Sequence, residues 1–422
     1  MNIMVIGSGG REHAIIKKIK ENSKVEKIYA LPGNGGIAQD AECVNIGAKE
    51  IEKQVEFAKN NSIDFAIVAP DDPLVLGAVD KLEEIGVKCF GPNKAAAIIE
   101  GSKVFSKNLM KKYNIPTAKY EVFTNAEDAL KYLEDTADSL PTVIKADGLA
   151  LGKGVIIANT LEEAKAGVKT IMEDKIFGES GSNIVIEEFL TGPEVSVLAF
   201  TDGKTLVPMV SSMDHKRALD GDKGLNTGGM GTIAPNPYYT KEIAERCMKE
   251  IFIPTIDAMK KENRTFKGCL YFGLMLTENG PKVIEYNCRF GDPETQVVLP
   301  LLETDLLDIM INTANETLEN IDVKFKNKSA CSVIMASGGY PEKYEKGYVI
   351  NIPEDVNAEI YIAGAKENNG KLYTNGGRVL AVSTVKDTLE EAIKSSYKEV
   401  EKISFENMHY RKDIGAKCIN LN

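Results

Sequence analysis

The stretch V-I-E-Y-N-C-R-F-G-D-P-E-T-Q, Val283 to Gln296, decides the fold. Its start, Lys282 to Tyr286, reads as a short buried strand. Alternate side chains of a strand share a face, so Glu285, Asn287 and Arg289 are expected in one row of carboxylate, amide oxygen and guanidinium. A hard divalent ion that also holds substrate phosphates wants one or two protein oxygens, which Glu285 and Asn287 supply. Arg289 then holds a carboxylate or phosphate in a fork. A wet polar edge is the plain alternative. A run of Arg, Asp and Glu around Gly291 and Pro293 is a costly way to end an ordinary strand.

The elements on either side support a sheet. A strand from about Gly268 to Leu276 pairs antiparallel with the first, and an amphipathic helix is expected from Gln296 to about Asn315. Upstream, Glu194 to Phe200 and Thr205 to Val210 read as successive strands, and Lys241 to Lys260 as a helix. Between Ser211 and Ala234 the strand pattern fails. That segment holds Asp214-His215-Lys216-Arg217 and Asn226-Thr227-Gly228-Gly229-Met230-Gly231. A long polar, glycine-rich loop inside a compact domain is usually functional or disordered, and the packed charges favour function. His215 reads equally as part of an anion site or of a solvated face.

Before this lies a second module. Thr142 to Ala146 and Val155 to Ala158 are β-type runs joined by Asp147-Gly148-Leu149-Ala150-Leu151-Gly152-Lys153-Gly154. Three glycines there are expected to make a mobile flap whose amides close over phosphates, with Lys145 and Lys153 supplying charge; a decorative hairpin is the alternative. The spacing is not that of a P-loop. Ser102 caps a helix carrying Lys103 and Lys107 that ends before Ile115-Pro116. Ile184 to Phe189 is a strand leading through Leu190-Thr191-Gly192-Pro193 to Glu194. A backbone hinge there can pair with an adenine edge, and a following carboxylate with ribose hydroxyls.

The N-terminal stretch reads as an open parallel sheet, strand and helix alternating with turn chemistry after each strand. Asn2 to Ile6 leads into Gly7-Ser8-Gly9-Gly10 and then a helix from Arg11 to about Lys20. That is a phosphate-binding arrangement, although a tight turn would look the same. The third glycine of a dinucleotide fingerprint is missing, and the strand Lys27 to Leu31 ends in P-G-N-G-G, not in an acidic residue. Beyond about Lys324 to Lys328 a last α/β module has strands at Ser332 to Ala336, Glu359 to Ala363 and Arg378 to Thr384, and a helix beginning near Thr388.

With 422 residues, roughly two to four domains are expected. The net charge of −11 argues against a protein that grips nucleic acid broadly. The seven cysteines form no C-x-x-C pair, and Cys269 and Cys288 read as inert core thiols of a reducing compartment. No signal peptide and no membrane-length apolar run is seen, so a cytoplasmic protein is expected.

The residues also carry a likeness. The chain resembles the ATP-grasp enzymes and, within them, the phosphoribosylamine–glycine ligases of purine synthesis. The resemblance rests on G-S-G-G-R-E-H from Gly7, K-A-D-G-L-A-L-G-K-G-V from Lys145, D-H-K-R from Asp214, N-T-G-G-M-G from Asn226 and E-Y-N-C-R-F-G-D-P-E-T-Q from Glu285. E-E-F-L-x-G-x-E from Glu187 is shared with ATP-grasp enzymes at large. It implies an α/β and α+β protein of four parts, bounded here as a biotin-carboxylase-like N-terminal α/β domain (1–102), an ATP-grasp double-sheet core in two subdomains (103–193, with a flap at about 120–190, and 194–327) and a small C-terminal domain (328–422). The implied reaction joins glycine to 5-phosphoribosylamine with ATP, through glycyl phosphate, giving glycinamide ribonucleotide, ADP and phosphate.

The resemblance implies roles as well. Lys103 and Lys145 neutralise ATP phosphates under a flap containing Gly152. Glu187, Glu188 and Leu190 line the adenine, and Glu194 meets the ribose. Glu285 and Asn287 hold Mg²⁺ or Mn²⁺. Arg289 orients the glycine carboxylate and the phosphoryl group in flight, while Asp214, Lys216, Asn226, Asp292 and Thr295 complete the pocket. Gly9, Gly10 and Arg11 take the phosphoribosyl phosphate. No general base is evident. The partners implied are these small molecules, with no nucleic acid or membrane, and transient contact with neighbouring purine-pathway enzymes. A monofunctional ligase is expected.

Three departures from the family pattern stand out. The usual G-P-E-x-P-L is A-P-D-D-P-L at Ala69 to Leu74, H-A-G-T is I-A-G-A at Ile362 to Ala365, and Gly273-Leu274-Met275 offers no acidic metal ligand before E-x-N. No site residue is expected from the C-terminal domain. The rival readings are another ATP-grasp carboxylate–amine ligase, a nicotinamide oxidoreductase and a non-catalytic nucleotide-binding regulator.

Overall fold

Asn2–Gly7 has no polar side chain after Asn2, and it lies where such a run belongs, in the middle of a parallel sheet buried on both faces. The computed structural model describes residues 1–149, 154–174, 176 and 178–419. The sheet order is Glu42–Cys43, Lys27–Pro32, Asn2–Gly7, Phe65–Val68, Lys88–Phe90, every pair parallel. The loops that follow the strands therefore gather on one edge, as expected for an open sheet.

Two antiparallel sheets follow. The first is ordered Tyr120–Phe123, Ile184–Glu188, Thr142–Ala146, Val155–Ala158 and has its own small core, including Ala129, Leu133, Ile144, Val168 and Ile186. The second is ordered Leu206–Pro208, Glu194–Thr201, Gly268–Thr277, Gly280–Asn287. Its alternating side chains split between two cores. Val195, Val197 and Phe272 pack with Met4 and Ile6 of the parallel sheet. Leu198 and Phe200 pack with Ile3, Val5 and the helices Thr295–Leu301 and Leu306–Ala314. The parallel sheet and the second antiparallel sheet thus share apolar cores, which fixes the strand Gly280–Asn287 to the N-terminal loops.

The single helix expected after Gln296 is two. Pro300 lacks the amide that a continuing helix needs, and Asp305 starts a new one by accepting the Asp308 amide. The helix expected at Lys241 to Lys260 carries a wide turn at Met248–Phe252, just ahead of Pro254.

The segment between Ser211 and Ala234, expected to lack strands, contains four short ones. Met213–Asp214 and Gly231–Ala234 join the C-terminal sheet, ordered Met213–Asp214, Gly231–Ala234, Ser329–Ser337, Arg378–Lys386, Glu359–Ile362. Arg217–Leu219 and Lys223–Asn226 form a hairpin. Strands this short show no alternation, and the partner of Gly231 is Val333, far along the chain. The C-terminal domain also docks on the N-terminal loops. His13 Nδ1 accepts the Ile362 amide at 2.8 Å and its Nε2 lies 3.1 Å from Asp40. Asn34 donates to the Ile362 and Ser8 carbonyls. The I-A-G-A stretch is thus held through its backbone.

Gly7, which ends the central strand, has φ +127°, and a Cβ there would lie 2.5 Å from Glu12 Cγ. Gly86 also has positive φ, +86°, but faces open space. Thermal unfolding should show Gly7→Ala costing about 3 kcal/mol and Gly86→Ala about 1 kcal/mol. Equal losses would refute the close approach of Gly7 to Glu12.

Candidate functional site

Glu285 and Asn287 lie at the end of Gly280–Asn287, and Glu285 faces Gly273 across the strand pair. A Cβ at Gly273 would come within 2.9 Å of Glu285 Cγ, so no acidic side chain fits at that cross-strand position. Burial alone would raise the Glu285 carboxyl; Lys216, Lys145, Lys103 and Arg289 outweigh it and hold it below its usual value. The Glu285 side chain stays 38% exposed, with Lys216 Nζ 3.9 Å away.

Arg289 lies past the strand's end, yet its guanidinium returns to the row and donates to Asn287 Oδ1 at 3.2 Å. It also meets Glu100 at 3.1 Å and approaches Asp71 at 4.0 Å, while its buried Nε has no partner among the described residues. Burial opposes its charge, but Glu100 and Asp71 keep it charged. Asp71, the shorter residue in A-P-D-D-P-L, therefore belongs to the setting of Arg289. Glu100 holds the strand end as well, since its second oxygen accepts the Cys288 amide at 2.7 Å.

The lysines converge from two elements. Ser102 caps Lys103–Lys112 by accepting the Phe105 amide, and its hydroxyl donates to Asp147 at 3.0 Å. Lys103 donates to the Gly148 carbonyl at 2.8 Å. Lys145 crosses between sheets to the Ile284 carbonyl at 3.1 Å and lies 3.0 Å from buried Glu187. Glu188 takes the Lys119 amide and Lys282, both at 3.0 Å. Leu190 is half-buried and Glu194 exposed, the latter 3.3 Å from Lys216. Gly152 and Lys153 lie outside the described residues.

Behind the strand end sits a group of acids. Burial, with Glu294 beside it, pushes the Asp214 carboxyl well above its usual range, and its buried Oδ1 has no partner among the described residues. Burial raises Glu294 too; its Oε1 accepts from Tyr271 at 3.2 Å and Ser196 at 3.4 Å. Glu194 first, then Glu285, hold the Lys216 ammonium well above its usual value against burial. Asp292 stays charged because Arg378 and Arg11 outweigh its burial. Its carboxylate meets Arg378 at 3.3 Å, the Arg11 amide at 3.3 Å and Gln296 at 2.9 Å. Arg378 further donates to the Gly228 carbonyl at 2.7 Å and the Asp292 carbonyl at 2.8 Å.

Some expected roles meet satisfied groups. The Gly9 amide is taken by Glu12 at 2.5 Å and the Arg11 amide by Asp292, while Gly10 is buried beside Gln296. The Gly9 and Arg11 amides are thus engaged within the chain, where the glycine loop caps its helix and joins two domains. Thr295 is fully buried, with its hydroxyl on the Gly291 carbonyl. Asn226 is exposed at the end of its hairpin, opposite Arg217. Sequence reasoning missed Glu100, Glu294 and Arg378. Glu294 stands inside the deciding run, but nothing local distinguishes Glu100 or Arg378, and Arg378 brings a side chain of the C-terminal domain to Asp292, where none was expected.

Among the described residues no group of three or more His, Cys, Asp or Glu side chains is arranged to hold a metal ion. The donor set at the strand end is one carboxylate and one amide oxygen. That fits a hard divalent cation whose other ligands come from phosphates and water, and it does not fit a soft metal.

Comparison with known proteins gives the same picture along the chain. Residues 1–100, 101–295 and 330–417 match the N domain, the ATP-grasp (A) domain and the C domain of phosphoribosylglycinamide synthetase. A phosphoribosylamine–glycine ligase of Caldanaerobacter subterraneus is 50% identical over 99% of this chain and 100% of its own length. The crystal structure of phosphoribosylamine–glycine ligase from Thermotoga maritima superposes with a TM-score of 0.87 at 36% identity, covering 98% of this chain and 100% of that one. A biotin carboxylase from Campylobacter jejuni, 13% identical, shares the fold with a TM-score of 0.76 over 96% of this chain and 92% of its own.

His215, left open between an anion site and a solvated face, is neither. It is buried; its Nε2 accepts the Gly415 amide at 3.1 Å and its Nδ1 lies 3.2 Å from the Gly231 carbonyl. Burial, and then Arg411, push it from 6.5 down to about 4. A histidine held neutral by the fold adds stability that is fully present above its unfolded value and lost as pH falls through about 4. Between pH 6.5 and about 4, denaturant titrations should show the protein losing about 3 kcal/mol more than His215→Gln. Parallel pH slopes would contradict a neutral, structural His215.

Proposed function

The chain belongs to the phosphoribosylglycinamide synthetase family, and we propose from that membership how its side chains divide the ligation between them. The protein is a ligase of purine biosynthesis that makes glycinamide ribonucleotide from glycine and 5-phosphoribosylamine, driven by ATP. ATP-grasp enzymes use ATP together with divalent metal ions.

The observation that carries the assignment is the crowd of cations at one strand end. Lys103, Lys145, Lys216 and Arg289 all act on Glu285, which remains half-exposed. That convergence of cations suits a polyphosphate, and Glu285 with Asn287 suits the ion that travels with it. Mg²⁺ or Mn²⁺ held there would neutralise phosphate charge. Lys103 and Lys145 face the phosphates, and Glu187, Glu188, Leu190 and Glu194 line the nucleoside side. Arg289 is preorganised by Glu100 and Asp71, so its guanidinium spends no energy reorienting when negative charge develops.

In the first step a glycine carboxylate oxygen attacks the γ-phosphorus, the bond to the bridging oxygen breaks, and ADP leaves. Arg289 and the lysines balance the charge in flight, and positioning does most of the work. In the second step the ribosylamine nitrogen attacks the acyl carbon of glycyl phosphate. The C–O bond to phosphate breaks, and the departing phosphate takes up the amine proton. Asp214 keeps one buried oxygen without a partner among the described residues, the acceptor a glycine ammonium needs; the arriving cation favours its charged form. Lys216 and Asp292 close the same side, and Asn226, exposed on its hairpin, is assigned to the same pocket from family membership alone.

A cytoplasmic setting among small molecules, with no nucleic acid or membrane, belongs to the same proposal. No helix among the described residues is long and apolar enough to cross a membrane.

The test is ADP release by the purified chain with MgATP, glycine and freshly generated phosphoribosylamine, omitting each in turn. ADP should appear only with all three, together with the mass of glycinamide ribonucleotide. Glu285→Gln should lower kcat by about 10²–10³-fold. ADP release with a different acid or amine would point to another carboxylate–amine ligase, and an unaffected Glu285→Gln would remove the metal reading.

A further inference from the structure

One buried cation has no part in this scheme. Lys107 lies one turn beyond Lys103 on Lys103–Lys112, with its side chain 2% exposed. Its Nζ lies 2.9 Å from Glu187 Oε2 and donates to Thr117 Oγ1 at 2.8 Å. Thr117 in turn donates to the Val283 carbonyl at 2.7 Å, on the strand that carries Glu285. The other oxygen, Glu187 Oε1, faces Lys145 Nζ at 3.0 Å. Glu187 thus divides its two oxygens between two lysines, and all three side chains are buried.

Two ammonium groups on one carboxylate leave a net positive charge out of water, which is unfavourable unless something uses it. A methionine would fill the same space beside Glu187 without that cost. With Lys107 neutral or absent, the whole carboxylate charge falls on Lys145, and the pair presents no net charge to a nucleotide. We propose that Lys107 is a positioning residue for ATP: it holds one oxygen of Glu187, so that Lys145 brings net positive charge to the phosphates. This rests on the reading that Lys145 faces those phosphates.

The surroundings give the cluster a pH dependence. Lys107 faces Glu187 and Glu188 of Ile184–Glu188, Lys145 of Thr142–Ala146 and, 5.7 Å from its ring centre, Tyr120 of Tyr120–Phe123. Lys282 of Gly280–Asn287 pairs with Glu188, and Lys103 and Lys111 flank Lys107 on its own helix. Burial pushes the Lys107 ammonium down to about 8 against the pull of Glu187. The cluster is therefore net positive below that pH and neutral above it.

The test is the steady-state KM for ATP and kcat of the full chain, of Lys107→Gln and of Lys145→Met, from about pH 6.5 to 9.5. The unaltered protein should show KM for ATP rising through about pH 8 with kcat flat. Lys107→Gln keeps a hydrogen-bonding group but not the charge. It should raise KM for ATP about tenfold near pH 7, leave kcat within about twofold, and lose the step at higher pH. The profile of the unaltered protein needs no variant to fold. A KM flat across that range, or Lys107→Gln changing only the melting temperature or only kcat, would overturn the proposal. If Lys145→Met raises KM while Lys107→Gln does not, only this inference falls. If Lys145→Met leaves KM unchanged, the reading of Lys145 falls with it.

Discussion

Asp292 is a mostly buried carboxylate shared by three parts of the chain. The Arg11 amide reaches it from the N-terminal loop, Gln296 from the helix that follows, and Arg378 from the C-terminal sheet. A buried charge is tolerable only when its partners are in place, so each part is held against the end of Gly280–Asn287. The same junction spends the guanidinium of Arg11 on the Phe290 carbonyl and one nitrogen of Arg378 on the Gly228 and Asp292 carbonyls. The strand end is therefore fixed by charges and not by apolar packing alone.

One pattern recurs around it. Three of the cations meant for substrate have an anion behind them. Arg289 has Glu100 and Asp71, Lys145 has Glu187, and Lys216 has Glu194. The anions hold Arg289 and Lys216 charged despite burial, and the half-exposed Glu285 marks the side they leave open. An enzyme that moves a phosphoryl group needs little else, since the charge must already be in place when the reaction begins.

Much of this was legible along the chain. The parallel sheet and the strand pairs around Lys145 and Glu285 came through because their periodicity lies in contiguous residues. The segment from Ser211 to Ala234 did not, because its strands of two to four residues are too short to show alternation and one of them, Gly231–Ala234, pairs with a strand far along the chain. Glu100 reads as an ordinary helical glutamate and Arg378 as the start of a strand; only the tertiary fold brings them to the site. The capping of the glycine loop was overlooked for a local reason. Glu12 stands three residues after Gly9, the spacing of a capping carboxylate, and it takes the Gly9 amide.

The central claim is that this charged strand end activates a carboxylate by phosphoryl transfer. Glycine labelled with ¹⁸O in both carboxylate oxygens tests it most directly, with the released phosphate analysed by mass spectrometry after the complete reaction. Glycyl phosphate requires one ¹⁸O to pass from each glycine consumed into the phosphate. Unlabelled phosphate, with both labels absent from it while glycinamide ribonucleotide still forms, would contradict the account.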